Sequence, residues 1–275
     1  MTAPQPSERL DSRITRSYGT LPPQERRAAD TLLEHLDDLA TYRAAELAAL
    51  AGVSKATMSR LFRTLGFADF DEVRDHLRSL RTSGEPQRID GPPDIASLAA
   101  AETASIEAAL QQPALADAVE LLAGARQVLV VGWRNSYPVA LHLREQLIQA
   151  RPTVAVGPVP GQMIGEEVTD LGPDDVVVAI GFRRRPKLFG SFIDAVLETD
   201  ARLVVLADPT GRVHLARAHV GLECPVEGRL AFDSYAAAMS LVAALADGVL
   251  GERGREGSQR VAAISRAYGD LGEVE

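Results

Sequence analysis

Two hydrophobic rhythms divide the chain. Up to about residue 82 the apolar side chains return every three or four positions, the period of helices with one buried face. Beyond about residue 95 they fall in short β-branched runs separated by longer helical stretches. In the first part, Thr20 and Leu21 precede two prolines suited to a first helical turn, and Ala28, Ala29, Leu32, Leu33 and Leu36 follow as one stripe. A helix is expected before it at residues 13–18, behind a polar lead-in over residues 1–12. Phe67, Phe70, Val73, Leu77 and Leu80 predict a further amphipathic helix, which closes an all-helical module over residues 1–82.

That module is organised around residues 44–67, AAELAALAGVSKATMSRLFRTLGF, which have the spacing of two short helices joined by a tight glycine turn, a helix-turn-helix. Leu47, Ala48, Ala51, Val53, Met58 and Leu61 fall where two steeply crossing helices must touch. Gly52 suits the positive φ that ends the first helix, and Ser54 the cap of the second. With Met58, Leu61 and Leu65 on the inner face, Lys55, Ala56, Ser59, Arg60 and Arg63 project outward. This small, polar, cationic face fits a DNA major groove, where Arg reaches guanine edges and the helix N-terminus with Ser54 meets phosphate. The alternative is a solvated helical hairpin.

In the second part, QVLVVG, TVAVG, DVVVAIG, RLVVLAD and HVGLECPV read as strands, with helical stretches near 136–150, 161–171, 188–199 and 232–250. Strands this continuously apolar are buried on both faces. They predict a doubly wound, mostly parallel α/β sheet over about 95–253, with its ligand site beyond the strand C-termini. Two loops stand there: GWRNS at 132–136, with Arg134, Asn135 and Ser136, and GFRRRPK at 181–187, with Arg183, Arg184 and Arg185. Residues 83–94, SGEPQRIDGPPD, have the composition of a linker, and 254–275 form a tail with a short helix over 257–270.

Length and composition permit this division, since 275 residues at 46% hydrophobic can furnish two modest cores. No apolar run approaches a membrane span and the N-terminus lacks a signal-peptide pattern, so a cytoplasmic protein without membrane contact is expected. Cys224 is the single cysteine and is expected to be a buried strand residue without chemistry. The net charge of −9 argues against nucleic acid until it is located: residues 1–88 hold 13 basic and 13 acidic side chains, and the rest hold 16 and 25. The acid lies away from the reading helix. A neutral reader still binds DNA weakly by itself, which calls for a homodimer or larger homo-oligomer on a double-stranded operator. With no Walker loop, GxGxxG or zinc cluster, no cofactor and no metal are expected.

The whole pattern resembles the RpiR/MurR family of transcriptional regulators, an N-terminal helix-turn-helix joined to a sugar-isomerase (SIS) domain. The span from Leu21 to Arg74 is similar to the family's DNA-binding module, and VLVVGWRNSYPVALHLREQL is similar to the SIS opening strand, loop and helix. The resemblance implies that Ser136 meets a sugar phosphate and that Ser234, at the start of a late helix, faces the same pocket. The second loop departs from the family, with Arg183, Arg184 and Arg185 in place of serines and a threonine. These would hold an anion by charge and bidentate forks. Alternatively they pair with acids such as Glu166, Glu167 or Asp170, or sit at a subunit interface. Trp133 could stack on a ligand or pack. The expected function is thus a DNA-binding regulator whose operator affinity responds to a small anionic metabolite, a sugar phosphate or a sugar acid. Two other readings stay open. A SIS-fold sugar-phosphate isomerase would need a base from among Glu145, Glu166, Glu167, His214 and His219, none of which has a supporting motif, so no catalytic residue is assigned. A DNA-binding protein with a vestigial pocket is the other.

Overall fold

The computed structural model describes residues 10–36, 39, 42–83, 95–228 and 232–274, with the backbone alone for 78–83. The lead-in before Leu10, the side chain of Leu80 and the proposed linker after Ser83 lie outside the described residues. The chain divides into two compact units, Met1–Glu85 and Pro86–Glu275.

The first unit packs α1 (Leu10–Tyr18), α2 (Pro23–Glu34), α3 (Ala44–Leu50), α4 (Lys55–Thr64) and α5 (Phe70–Ser83) around one core. Helix α1 starts at Leu10 rather than Arg13, because Leu10 and Ile14 both bury their side chains there. The expected stripe of α2 faces inward, with Ala28, Ala29 and Leu32 buried. Arg13 is buried too. Its guanidinium lies 4.4 Å from the Phe67 ring centre and donates to the Leu65 carbonyl at 3.2 Å, so the charge keeps both a π face and a hydrogen bond.

The second unit opens with α6 (Ile95–Leu110) and α7 (Ala114–Gly124), to which the hydrophobic pattern assigned no element. Then β1 (Val128–Gly132), α8 (Ser136–Ala150), β2 (Val154–Gly157), α9 (Ile164–Thr169), β3 (Val176–Gly181), α10 (Leu188–Leu197), β4 (Arg202–Ala207), α11 (Arg212–Leu215) and β5 (Val220–Glu223) alternate. The five strands form one parallel sheet in the order β2-β1-β3-β4-β5. Successive residues of each strand point to opposite faces. Val130, Val178, Ile180, Val204 and Leu206 meet α7, α8 and the last helix, whereas Leu129, Val131, Val177, Leu203 and Val205 meet Phe189, Phe192 and Ile193 of α10. Both faces of β1, β3 and β4 are covered, which is why these strands read as unbroken apolar runs, whereas the edge strand β2, expected to be buried on both faces, leaves Ala155 exposed.

Two further helices differ from expectation. Helix α9 covers only Ile164–Thr169, because Gly161 takes a φ of +86° in the turn that precedes it. The last helix, α12, runs over Ala236–Leu271, so the helix expected at 257–270 is its distal part. Gly254, at φ +51° and ψ −119°, interrupts the helical backbone there. Arg260 ties the distal part to α8, its Nε donating to the Ile148 carbonyl at 2.8 Å. Cys224 is buried as expected but lies one residue past β5. Burial, and secondarily Asp208, pushes its thiol up to about 12. Among the described residues no helix is long and apolar enough to cross a membrane.

Arg151, 1% exposed, locks α7 to the end of α8. Its Nη2 donates to the carbonyls of Ala125 at 2.6 Å and Arg126 at 3.2 Å, its Nε to Pro152 at 3.1 Å, and its Nη1 to Leu122. The guanidinium thus satisfies carbonyls at the C-terminal end of α7, where positive charge is favoured. Burial, and secondarily Arg253, lowers its pKa. Arg151→Met keeps the length but removes every donor and should destabilise this unit by about 3 kcal/mol, a fall of about 6–12 °C in melting temperature by calorimetry. A fall under about 2 °C would show that the carbonyls find other partners.

Candidate functional site

The first candidate is the outer face of α4. Helix α3 ends in a Schellman turn: Gly52 sits at φ +62°, its N–H donates to the Ala49 carbonyl at 3.1 Å, and that of Val53 to Ala48 at 2.9 Å. Ser54 then caps α4, its Oγ accepting the Thr57 N–H at 3.0 Å. A second Schellman turn closes α4, with Gly66 at φ +86°, its N–H on Arg63 at 3.0 Å and that of Phe67 on Phe62 at 2.9 Å. Thr57, Met58, Leu61, Phe62 and Leu65 are buried. Ser54, Lys55, Ala56, Arg60 and Arg63 are exposed, and Ser59 is half-buried. The Thr57 hydroxyl bonds the Ser54 hydroxyl at 2.9 Å and accepts from Arg60 Nη2 at 3.4 Å, so the cap and one projecting cation share a buried anchor. Lys55, Arg60 and Arg63 form no ion pair among the described residues.

The second candidate is the crevice beyond the strand C-termini. The strand order reverses between β1 and β3, and a ligand site is expected where their two loops separate. A Cβ on Gly132 would lie 2.7 Å from the Ser136 carbonyl oxygen, so glycine lets α8 begin hard against the strand end. Ser136 is buried, and its Oγ accepts the Phe182 N–H at 3.2 Å, which joins the two loops. Each loop holds an arginine in the left-handed region, Arg134 at φ +55° and Arg183 at φ +29°. Such backbone is unfavourable for a non-glycine residue and clusters at functional sites. Arg134 and Asn135 are exposed.

The three arginines of the second loop have three different surroundings. The Arg183 N–H donates to Asp208 Oδ1 at 2.7 Å, while its guanidinium lies 3.3 Å from both Glu227 and Asp233. Arg184 is exposed. Arg185 turns inward, donating to Asp208 Oδ1 at 2.7 Å, the Gly181 carbonyl at 2.9 Å and Thr210 Oγ1 at 2.7 Å. Among the described residues the carboxylates that pair with Arg183 and Arg185 are therefore Asp208, Glu227 and Asp233, rather than Glu166, Glu167 or Asp170. The sheet order explains this, since the β3 loop neighbours β4 and β5 whereas α9 follows β2 on the far side. Ser234 accepts the Ala236 N–H at 3.3 Å at the head of α12. Trp133 packs edge-on against Phe189 and Phe192, with ring centres 6.1 and 5.3 Å away, rather than standing open for stacking. Of the acid–base candidates, His219 Nδ1 accepts the Leu203 N–H at 3.0 Å, His214 packs edge-on against Phe189, Glu145 pairs with Arg144, and Glu167 accepts from Gln162.

Asp208, Thr210, Glu227, Asp233 and Tyr235 belong to this crevice but were missed in the sequence. One signal for them exists: RLVVLAD ends a strand on an aspartate just before Pro-Thr-Gly, a residue pattern that favours a capped turn. Burial pushes the Asp208 carboxyl up, but the Thr210 hydroxyl, the Arg183 amide and the Arg185 guanidinium outweigh it and hold the group below its ordinary range. Asp233 is raised, by burial first and then by Asp208 and Glu227, against the pull of Arg183 and Arg184. The Tyr235 phenol is pushed up to about 12 by burial with Asp233 and Asp208, while Arg183 and Arg134 act on it in the opposite sense. Arg134 thus shares one electrostatic neighbourhood with the acids. Because Asp208 is depressed in the fold, its contribution to stability is complete above the unfolded value of about 4 and fades as pH falls further. Asp208→Asn should cost about 1–2 kcal/mol at pH 7 and less below pH 4, measured by urea unfolding. An equal loss at both pH values would show that the charge of Asp208 contributes nothing.

Comparison with known proteins identifies the two domains and their folds. A helix-turn-helix domain of the rpiR family matches residues 9–82, and a SIS domain matches residues 121–247. The fold is similar to that of the sugar isomerase domain of an RpiR transcription factor from Sphaerobacter thermophilus, with a TM-score of 0.56 and 20% identity over 64% of this chain and 98% of that one. It is also similar to the Vibrio vulnificus NanR protein complexed with ManNAc-6P, with a TM-score of 0.56 and 21% identity over 96% of this chain and 99% of that one. A curated relative, the bifunctional protein glk of Burkholderia orbicola, is 27% identical over 229 residues, 79% of this chain. The chain spans only 35% of that relative's length. With an rpiR-type helix-turn-helix followed by a SIS domain, the chain belongs to the RpiR family.

Proposed function

We propose that this chain is a DNA-binding transcriptional regulator whose operator affinity is set by a small anionic metabolite bound in the SIS crevice. The observation that carries the reading is α4, a doubly capped helix whose inner face buries Met58, Leu61 and Phe62 and whose three cations stand outside any ion pair among the described residues. Ser54, Lys55, Ala56, Ser59, Arg60 and Arg63 make the DNA contacts, the arginines to base edges and the helix start to phosphate. A homo-oligomer presents two such readers to a double-stranded operator, because a unit with balanced charge gains too little from phosphate alone.

The effector class rests on three supports. The crevice lies at the switch point, α8 begins there with Ser136, and NanR, which has a similar fold, was solved with ManNAc-6P. Arg134, Asn135, Ser136, Arg183, Arg184, Arg185 and Ser234 are the residues proposed to act at this site. Arg185 acts indirectly, by shaping the loop through Asp208 and Thr210. A helix-turn-helix joined to a SIS domain points to a regulator rather than an isomerase.

Arg60→Ala should weaken operator binding by about 1–3 kcal/mol, roughly 5- to 150-fold, with an unchanged melting curve, measured by fluorescence anisotropy and circular dichroism. Leu61→Asp, at a position that is 0% exposed, should unfold the helical unit. Equal melting losses in the two variants would overturn the assignment of faces. Ser136→Ala should retain operator affinity and lose its modulation when sugar phosphates and sugar acids are screened in the same assay. A response of the wild type to neutral metabolites only would overturn the anionic class.

A further inference from the structure

Resting on the reading of the crevice as an anion-binding effector site, the arrangement of its charges says how an anion gains access. Arg183, Arg185, Asp208, Glu227 and Asp233 together bring two positive and three negative groups. With Arg134 and Arg184 in the same electrostatic neighbourhood, the obstacle to an incoming anion is not an excess of negative charge but that the inner guanidiniums are already paired with carboxylates. Arg185 and Asp208 are fixed by bonds to Gly181 and Thr210 and belong to the loop's structure. Arg183 is held differently. Its side chain, 11% exposed, has Glu227 and Asp233 at 3.3 Å, distances looser than the 2.7 Å between Arg185 and Asp208.

A carboxylate and a phosphate or sugar-acid oxygen present the same kind of acceptor to a guanidinium fork. We propose that Asp233 is an internal stand-in for the effector's anionic group, holding Arg183 in the free protein and giving up that guanidinium to the effector when it binds. Asp233 suits the part better than Glu227, since its side chain is 18% exposed against 59%, so it occupies the inward position. Its ionised form is already disfavoured by burial and by its acidic neighbours, so the pair is poised for exchange. The backbone that presents Arg183 need not move, because Asp208 keeps its N–H in place. In this scheme Asp233 sets the affinity threshold: it competes with weak anions and yields to one that makes further contacts in the crevice.

The test uses the full chain and two probes, inorganic phosphate and glucose 6-phosphate, with dissociation constants from calorimetric or NMR titration. Asp233→Asn keeps the shape and removes the competing charge. It should bind phosphate about tenfold more tightly than wild type, the equivalent of about 1.4 kcal/mol. Glu227→Gln, at the more exposed carboxylate, should bind it no more than about threefold more tightly. Adding Arg183→Ala to Asp233→Asn should abolish the gain, with circular dichroism verifying the fold of each variant. Should the double variant not fold, the ranking of Asp233→Asn above Glu227→Gln decides. Weaker or unchanged binding by Asp233→Asn, or equal gains in the two single variants, would overturn the exchange while leaving the anion site standing. Saturable binding of neither probe to any variant would overturn the anion site itself, and the exchange with it.

Discussion

A carboxylate delivered just past the end of β4 must either be exposed, be neutralised or be surrounded by donors, and Asp208 takes the third course at 1% exposure. It accepts from the Arg183 amide, the Arg185 guanidinium, and the amide and hydroxyl of Thr210. Two of these donors belong to the loop after β3 and two to its own turn, so one side chain binds neighbouring strand ends into a single floor. It also separates the run of three arginines into different roles. Arg185 is drawn down as a strut, Arg183 is turned by its backbone to face Glu227 and Asp233, and Arg184 is left on the outside.

The two units use cations in opposite ways. On α4 the charged groups stand in water without opposing carboxylates among the described residues, so an approaching polyanion does not have to break an existing pair. In the crevice the half-buried Arg183 and Arg185 are matched by acids, because a guanidinium drawn out of water without a partner destabilises the fold. Charge on the helical unit is therefore available for association. Charge in the α/β unit is chiefly committed to shape, and Arg151, held by carbonyls instead of acids, extends the same rule to the far end of the sheet. Net charge alone conceals this difference, since a balanced helical part and an acidic α/β part sum to −9.

The helical reader was legible because its signals are local. Gly52, Ser54 and the spacing of Met58, Leu61 and Leu65 act within a turn or two, and each reappears as a dihedral, a cap or a buried side chain. The strands were legible for a related reason: burial on both faces writes itself as an unbroken β-branched run. Helices α6 and α7 were not, because Ala-rich segments such as IASLAAAETASIEAAL carry little contrast between faces. The break at Gly254 was also unreadable, since an isolated glycine inside a helix is commonly tolerated. In the crevice, Ser136 and the two loops followed from the topology. The partners of the arginines did not, because Asp208, Glu227 and Asp233 lie 23 to 50 positions from Arg183 and Arg185, and only the order of β3, β4 and β5 brings them near.

What a ligand in this crevice can move follows from where the helices begin. Helix α8 starts at Ser136, whose hydroxyl spans the two loops, and α12 starts at Ala236, three residues after Asp233. These two helices pack against each other on the same face of the sheet, and the distal part of α12 is tied back to α8 through Arg260 and Ile148. An anion bound as proposed would therefore act at the first turns of a joined pair. The loops themselves have little freedom to respond, because Asp208 and Thr210 hold their floor. Tight binding alone shifts no equilibrium; the ligand must favour one arrangement of the pair over another. The contacts most able to differ between arrangements are those that change partner, and in this crevice they converge on Arg183.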